Sequence, residues 1–287
     1  MSAVRFLLKL CVAAGETDEE TRFLTLLSSV CSYKTFPFDD NYHDAYVQSD
    51  FLLDLCSHVK NYETQTGRSF LPALQSVFQL RDVWIIDLSE RKSSVLLEVL
   101  KLQTEKKPVE LSGCSDEEID VKSLLQCLPH VSKLRFWDID DEERRMSAVR
   151  FLLKLCVAAG ETDEETRFLT LLSSVCSYKT FPFDEEDYNY YDYDHADVQS
   201  DFLLDLCSHV KNYETQTGRS FLPALQSVFQ LRDDVWRIDL SERKCSVLLE
   251  VLKLQTEKKT VKLKRLSEKE SDVKSFLQCL PHISELR

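Results

Sequence analysis

The sequence contains little glycine and proline, with five glycines and seven prolines in 287 residues. So few turn-forming residues disfavour an all-β sandwich, a collagen-like segment and a glycine-rich phosphate loop. No apolar run approaches the roughly 18–20 residues that a membrane-spanning helix needs. The net charge of −13 lacks the basic excess that a nucleic acid or an anionic membrane attracts. We therefore expect neither a nucleic-acid partner nor a membrane partner.

Motifs that carry catalysis or bind metals are also missing. The chain has no G-x-x-x-x-G-K-[ST], G-x-S-x-G, H-E-x-x-H or C-x-x-C pattern. Nearly all ten cysteines lie in apolar runs, which is typical of reduced, buried thiols in a cytosolic protein. Cys127 and His130 share a C-x-x-H spacing, but no second ligand pair accompanies them. We expect no enzyme, no cofactor and no metal site; a cysteine-dependent enzyme is the least favoured alternative.

The chain consists of two tandem copies of one sequence. Residues 1–39 recur letter for letter as 146–184, and residues 47–82 recur unchanged as 198–233. Residues 83–134 then match 235–286 with scattered differences. Such a period means two copies of one large unit, so the fold has to be understood through that unit. The sequence predicts repeat unit 1 over 1–145 and repeat unit 2 over 146–287, with one continuous core.

Short strand-like runs alternate with helical segments in each copy. Four runs of about five residues are rich in β-branched or aromatic side chains: 34–38, 83–88, 108–111 and 133–137. One or two amphipathic helices separate each run from the next, and no two-residue hairpin turn joins them. This alternation predicts parallel strands with helical crossovers.

The strand spacing favours a leucine-rich-like architecture. The steps between the last three runs fall within the 20–29 residues of leucine-rich repeats, although the other steps are longer. We therefore predict an α/β fold: an irregular leucine-rich-like solenoid with short parallel strands on one side and helices on the other. The alternative is an all-helical scaffold of the HEAT or TPR class, in which the short runs are loops.

Several long phrases resemble a known family. They are SLLQCLPHVSKLRF, FLLKLCVAAGETDEETRFLTLLSSVCSYKTFPF, DFLLDLCSHVKNYETQTG and SERKSSVLLEVLKLQTEKKPVEL, and they occur through both copies. They are similar to the long repeats of the fish-expanded NOD-like receptor proteins, which join a nucleotide-binding NACHT module to leucine-rich-like arrays. The resemblance implies a cytoplasmic array with a recognition or autoinhibitory role in innate immunity. The phosphate loop of that module is absent from this chain.

The two copies diverge most at residues 184–197, where copy two is six residues longer and more acidic than the equivalent 39–46. Tyrosines supply rigid contact area and carboxylates attract a basic partner, so this segment is the first candidate for a protein-binding loop. A solvated low-complexity insertion is the competing interpretation. The candidate contact residues of the segment are Tyr188, Tyr190, Tyr191, Asp192, Tyr193 and Asp194.

A second candidate contact residue is Arg237, which stands where copy one has Ile85. Because arginine is seldom buried without a partner, we expect this strand position to face solvent and Trp236 and Ile238 to face inward. Solenoids normally close their ends with polar caps, and neither end of the sequence shows one. We therefore also expect self-association through uncapped repeat ends.

Overall fold

The computed structural model describes most of the chain in two compact units. Unit 1 comprises Met1–Gly113 and Glu117–Lys133, and unit 2 comprises Cys114–Asp116 and Leu134–Arg287. Helices and strands alternate in both, so the protein is a mixed α/β protein and the all-helical alternative is wrong. The described residues are 2–33, 36–38, 45–79, 81–88, 92–114, 118–137, 139–183, 193–240, 244–266 and 269–287.

Unit 1 begins with three helices, followed by alternating short strands and helices. Leu52, Leu55, Cys56 and Val59 recur on one face of the third helix and are all buried, as their spacing predicts. This helix packs against the first strand. The helices are α1 (Ser2–Gly15), α2 (Glu20–Cys31), α3 (Ala45–Thr66), α4 (Gln75–Phe78), α5 (Ser93–Lys101) and α6 (Glu118–Cys127). The strands are β1 (Trp84–Asp87), β2 (Lys107–Ser112) and β3 (Val131–Phe136), which continues into unit 2.

Unit 2 repeats the same order of elements, except that the equivalent of α4 is the 3-10 helix Gln226–Val228. Its first helix begins earlier than α1, because residues 142–145 precede the repeated sequence and Asp141 caps them by accepting from Arg144 N. The helices are α7 (Glu142–Gly160), α8 (Glu165–Cys176), α9 (Tyr193–Thr217), α10 (Cys245–Leu254) and α11 (Glu270–Leu277). The strands are β4 (Val235–Asp239), β5 (Lys259–Arg265) and β6 (Ile283–Leu286).

The strands form two three-stranded sheets, with orders β1-β2-β3 and β4-β5-β6. The pairs β1–β2, β4–β5 and β5–β6 are parallel, which confirms the prediction from the helical crossovers. Trp84 lies opposite Val109, and Trp236 lies opposite Val261. The tryptophans and the isoleucines two residues later are fully buried, as predicted, so this face of each sheet points into the core.

The run at 34–38 was predicted as a strand and this prediction is wrong. In its exact repeat, residues 179–183 form turns in which Phe181 N donates to Tyr178 O (2.9 Å) and Phe183 N donates to Thr180 O (2.8 Å). Proline has no N–H to donate to a ladder, so aromatic side chains alone could not make this run a strand. Of the first copy, Phe36–Phe38 are described, and Phe36 and Pro37 also lie in a turn.

Glu63 caps the short 3-10 helix that follows α3. Its Oε1 accepts from the backbone N–H groups of Phe70 and Leu71, the latter at 2.8 Å. Glu214 repeats both contacts in unit 2. A carboxylate from the preceding helix thus satisfies the first N–H groups of the short 3-10 helix Leu71–Leu74.

Among the described residues, no helix has both the length and the apolar character that crossing a bilayer requires.

Candidate functional site

The predicted contact residues lie at the start of α9 and on β4. Tyr188, Tyr190, Tyr191 and Asp192 lie outside the described residues, and Tyr193 and Asp194 are the first two residues of α9. Arg237 is the central residue of β4. The structure brings Arg237 to Asp197, which lies one helical turn after Tyr193. The two predicted candidates therefore meet in one region of unit 2.

Arg237 does not face solvent, contrary to the prediction. Its side chain is only 13% exposed and forms ion pairs with Asp197 (Nε–Oδ1 3.3 Å) and Asp233. Its guanidinium also donates to Val235 O at 3.1 Å, and its backbone N–H donates to Ser200 Oγ at 3.2 Å. An arginine without a partner would stay in solvent, but Arg237 is paired with two carboxylates and can be largely buried.

The ion pairs extend along one face of α9. Asp197, Asp201 and Asp205 are spaced four residues apart, so their carboxylates line the same side of the helix. Lys264 of β5 lies 3.3 Å from Asp197 and 3.5 Å from Asp201. The pairs continue with Lys244 to Asp201 (3.1 Å) and Asp205 (3.5 Å), and with Arg145 to Asp205 (3.4 Å). We call Asp197, Asp201, Arg237 and Lys264 the charged cluster.

Copy one lacks three of the four charges of this cluster. Tyr46 stands at the position of Asp197, Ile85 at that of Arg237, and Ser112 at that of Lys264. Only Asp50, the equivalent of Asp201, is kept, and it pairs with Lys92. Although these three positions are far apart in sequence, Arg237 and Lys264 both pair with Asp197 in unit 2. Three of the scattered differences between the copies therefore meet in one place, where they add one negative and two positive charges.

The second strand of the sheet also differs in charge between the copies. In β5 the cationic residues are Lys259, Lys262, Lys264 and Arg265, whereas β2 carries Lys107 and Glu110. Lys262 is exposed and has no ion-pair partner within the described part of the chain. Lys259, Lys264 and Arg265 each pair with an aspartate. Within the described residues, Lys262 therefore adds an exposed positive charge beside the charged cluster.

Asp233 shows how the cluster holds a carboxylate in its charged form. Burial opposes its ionisation, but the hydrogen bonds from Arg237 and from the N–H of Val235 outweigh that effect and lower its pKa. Arg237 Nη1 donates to Asp233 Oδ1 at 3.1 Å. Asp233, which pairs with Arg237 of the cluster, is therefore held in its charged form.

Replacing residues of the charged cluster by their copy-one equivalents should have non-additive effects on the free energy of unfolding. We expect Asp197→Tyr and Arg237→Ile each to destabilise unit 2, because each leaves a half-buried partner with fewer counter-charges. The double variant should cost less than the sum, with a coupling of about 0.5–3 kcal/mol in urea denaturation. The exposed pair Glu270 and Lys274 serves as the control and should show coupling near zero. Strict additivity at 197 and 237 would contradict the geometry.

The thiols are poor candidates for catalysis. Burial raises the pKa of Cys127 to about 12 and that of Cys279 to about 11. Cys127 Sγ contacts Ser93 O (4.0 Å), and Cys279 Sγ contacts Cys245 O (3.6 Å), so both thiols point at backbone carbonyls. Within the described ranges, no group of three or more His, Cys, Asp or Glu side chains could hold a metal ion.

The fold and the site together define a two-unit α/β repeat protein with a charged surface that belongs to the second unit alone. No protein-family model, no curated protein and no solved structure matches this chain.

Proposed function

We propose that this chain is a non-enzymatic protein-interaction or ligand-sensing repeat array of the kind found in cytoplasmic, innate-immune NOD-like receptors. In this proposal the two units form an irregular leucine-rich-like solenoid, with the parallel strands on one side and the helices on the other. The alternation of short parallel strands with helices supports it, as do the repeated phrases that resemble that receptor family.

One observation carries the proposal: three of the charge differences between two otherwise near-identical copies meet in space. Arg237 and Lys264 both pair with Asp197 at the start of α9, next in sequence to the tyrosine-rich segment that also distinguishes copy two. Drift alone scatters differences over loops and surface positions. Three differences that complement one another in charge and meet in space fit a surface that copy two uses and copy one does not.

The chemistry of this region favours a protein partner of basic character. Residues 184–194 supply carboxylates and tyrosines, which together give electrostatic attraction and rigid contact area. The cluster joins the first turns of α9 to β4 and β5 through ion pairs. A helix held in this way loses less conformational entropy on binding than a free one.

The non-enzymatic part of the proposal is supported by the state of the thiols. A cysteine nucleophile requires a thiolate at neutral pH, and burial raises the pKa of Cys56, Cys127, Cys156 and Cys207 to about 12. A thiol that ionises so late is protonated at neutral pH and reacts slowly.

The proposal is tested by exchanging the distinctive segment for its copy-one equivalent. Residues 184–197 are replaced by residues 39–46, which connect the same two elements in unit 1. Both chains are immobilised and exposed to a cytosolic extract, and bound proteins are identified and their affinities measured. We expect the original chain to retain a basic protein that the exchanged chain binds roughly tenfold more weakly or not at all.

The variant Lys262→Glu separates this partner from a non-specific basic one. It adds an acidic residue beside the cluster without touching the segment, so a specific partner should respond less to it than to the exchange. Equal binding by the original and the exchanged chain would contradict the proposed role of residues 184–197.

A further inference from the structure

Unit 1 presents an uncovered apolar face on its first two helices. Its members are exposed large side chains, and they border a groove of about 390 Å³ between the helices, lined by Leu10, Ala13, Phe23, Leu26, Val30 and others. Such a face costs free energy in water, because apolar area that could be buried stays hydrated. We call Phe6, Leu10, Phe23, Leu26, Val30 and Tyr33 the α1–α2 face.

The same residues recur in unit 2, where three of the six equivalents are buried and the other three are half-buried. Val30 is 67% exposed, whereas its exact equivalent Val175 is 3% exposed. Phe151 and Leu155 are also buried, although they repeat the exposed Phe6 and Leu10. Since the two helical hairpins are identical in sequence, the difference lies in what surrounds them. The sequence of the α1–α2 face is therefore suited to being an interface.

Within unit 2, the end of strand β3 contacts the turn that follows α8. Tyr178 donates from its hydroxyl to Leu134 O at 2.8 Å, and Phe136 N donates to Pro182 O at 3.2 Å. The ring of Phe136 lies 6.3 Å from that of Phe181 and 5.9 Å from that of Phe202. A strand end thus contributes both backbone and aromatic contacts to this region.

Unit 1 has the same arrangement of aromatic rings that contacts the end of β3 in unit 2. The rings of Tyr33 and Phe36 are 5.6 Å apart, the same as those of Tyr178 and Phe181. Phe51 joins Phe36 at 5.9 Å, as Phe202 joins Phe181 at 5.6 Å. Tyr33 is exposed, and no strand end contacts it among the described residues. The geometry that accepts β3 in unit 2 is therefore preformed in unit 1.

Helix α11 and strand β6, which are the equivalents of α6 and β3, also carry exposed apolar side chains. Strand β6 is the equivalent of β3, and Leu286 is the equivalent of Leu134, which is fully buried. Leu277 of α11 is 55% exposed, whereas its equivalent Leu125 is 3% exposed. Val273 and Leu280 show the same contrast with Val121 and Leu128. We call Val273, Leu277, Leu280 and Leu286 the α11–β6 face.

We propose that the α1–α2 face of one molecule binds the α11–β6 face of a second copy of this chain, head to tail. Leu286 then takes the place beside Tyr33 that Leu134 holds beside Tyr178. This inference goes beyond the proposed function and does not depend on it, because it rests on the contact of Leu134 in unit 2 and on the burial of Val121, Leu125 and Leu128 in unit 1. The partner is a second copy because the matching face is made of the same repeated sequence.

The proposed contact is heterologous, since two different faces meet. A heterologous contact leaves one free face at each end of a dimer, so association continues into chains unless the rotation closes a ring. We therefore expect a distribution of sizes that grows with concentration, and not a single dimer.

The test uses two variants that each remove one face. Val30→Glu places a charge on the α1–α2 face, and Leu277→Glu places one on the α11–β6 face; both side chains are exposed, so folding is preserved. Sedimentation velocity is recorded from about 1 to 100 µM for the intact chain, each variant and their equimolar mixture. We expect the intact chain to form larger species, each variant alone to be monomeric, and the mixture to stop at a heterodimer.

The exposed apolar residue Ile119 provides the matched control, because it lies on neither face. Ile119→Glu should associate like the intact chain, and an equal loss of association there would overturn the proposal in favour of general stickiness. A monomeric intact chain over the whole series would overturn it too. Undiminished association of Leu277→Glu would show that like faces pair, which also refutes the head-to-tail contact.

Discussion

Phe151→Ala should destabilise the protein by about 3–5 kcal/mol, while the same change at Phe6 should alter stability by about 0.5 kcal/mol or less. Phe151 is fully buried, whereas Phe6 is 61% exposed. Truncating a buried phenylalanine loses its transfer free energy and leaves a cavity, but truncating an exposed one does neither. The measurement is urea denaturation followed by the fluorescence of the buried Trp84 and Trp236.

The variants Phe6→Ala and Phe151→Ala serve as controls for each other, because they lie in identical local sequence. Residues 1–39 and 146–184 are identical, so helix propensity and unfolded-chain effects are the same at both positions. Any difference between the two variants reports the environment in the folded protein. The comparison is made at low protein concentration, where Phe6 is not covered by another molecule. Equal destabilisation by the two changes would contradict the structure of unit 1 or unit 2.

Stability should fall steeply above pH 9. Burial raises the pKa of Cys56, Cys127, Cys156 and Cys207 from the ordinary value of 9.0 to about 12 in the folded protein. Because the folded pKa is the higher one, this stabilisation is fully present below pH 9 and is lost as pH rises towards 12. Each such thiol should lower the free energy of unfolding by up to about 1.4 kcal/mol per pH unit in that window.

A variant with these four cysteines replaced by alanine isolates the effect from titrating tyrosines and lysines. The variant is less stable at pH 8, so the slopes of unfolding free energy against pH are compared, not the absolute values. Both chains are kept under reducing conditions and measured between pH 8 and 10.5. A slope in the variant as steep as in the intact chain would show that the thiols are not responsible.

Local sequence was sufficient for most helices and for three of the four predicted strands. β1 and β2 appear close to where β-branched and aromatic residues predict them, and β3 begins at Val131, two residues before the predicted run. The prediction for 34–38 failed because the same aromatic content surrounds Pro37, and in the exact repeat, 179–183, the backbone closes into turns. Composition indicates that such a run is half-buried. Whether it forms a strand or a turn depends on whether its backbone N–H groups bond to a neighbouring strand or to carbonyls of the same segment.

The environment of Arg237 depended on a partner that local sequence does not reveal. Asp197 lies forty residues upstream on a helix, and no periodicity within β4 points to it. A signal was nevertheless present in the sequence: Tyr46, Ile85 and Ser112 become Asp197, Arg237 and Lys264, one negative and two positive charges. Comparing the copies as though they were two related proteins would have predicted this contact.

Exact repetition of the first two helices also bears on how the chain folds. In the folded protein, Tyr178 and Phe181 pack beside Leu134 and Phe136. During folding, Tyr33 and Phe36 can take these positions instead, because the sequences around the two pairs are identical. Refolding from denaturant therefore starts from two indistinguishable competitors, and the incorrect choice must be undone before folding finishes. Synthesis from the N-terminus avoids this competition in part, because the first copy can fold before the second emerges. Refolding in vitro should consequently be slower and lower in yield than folding during translation.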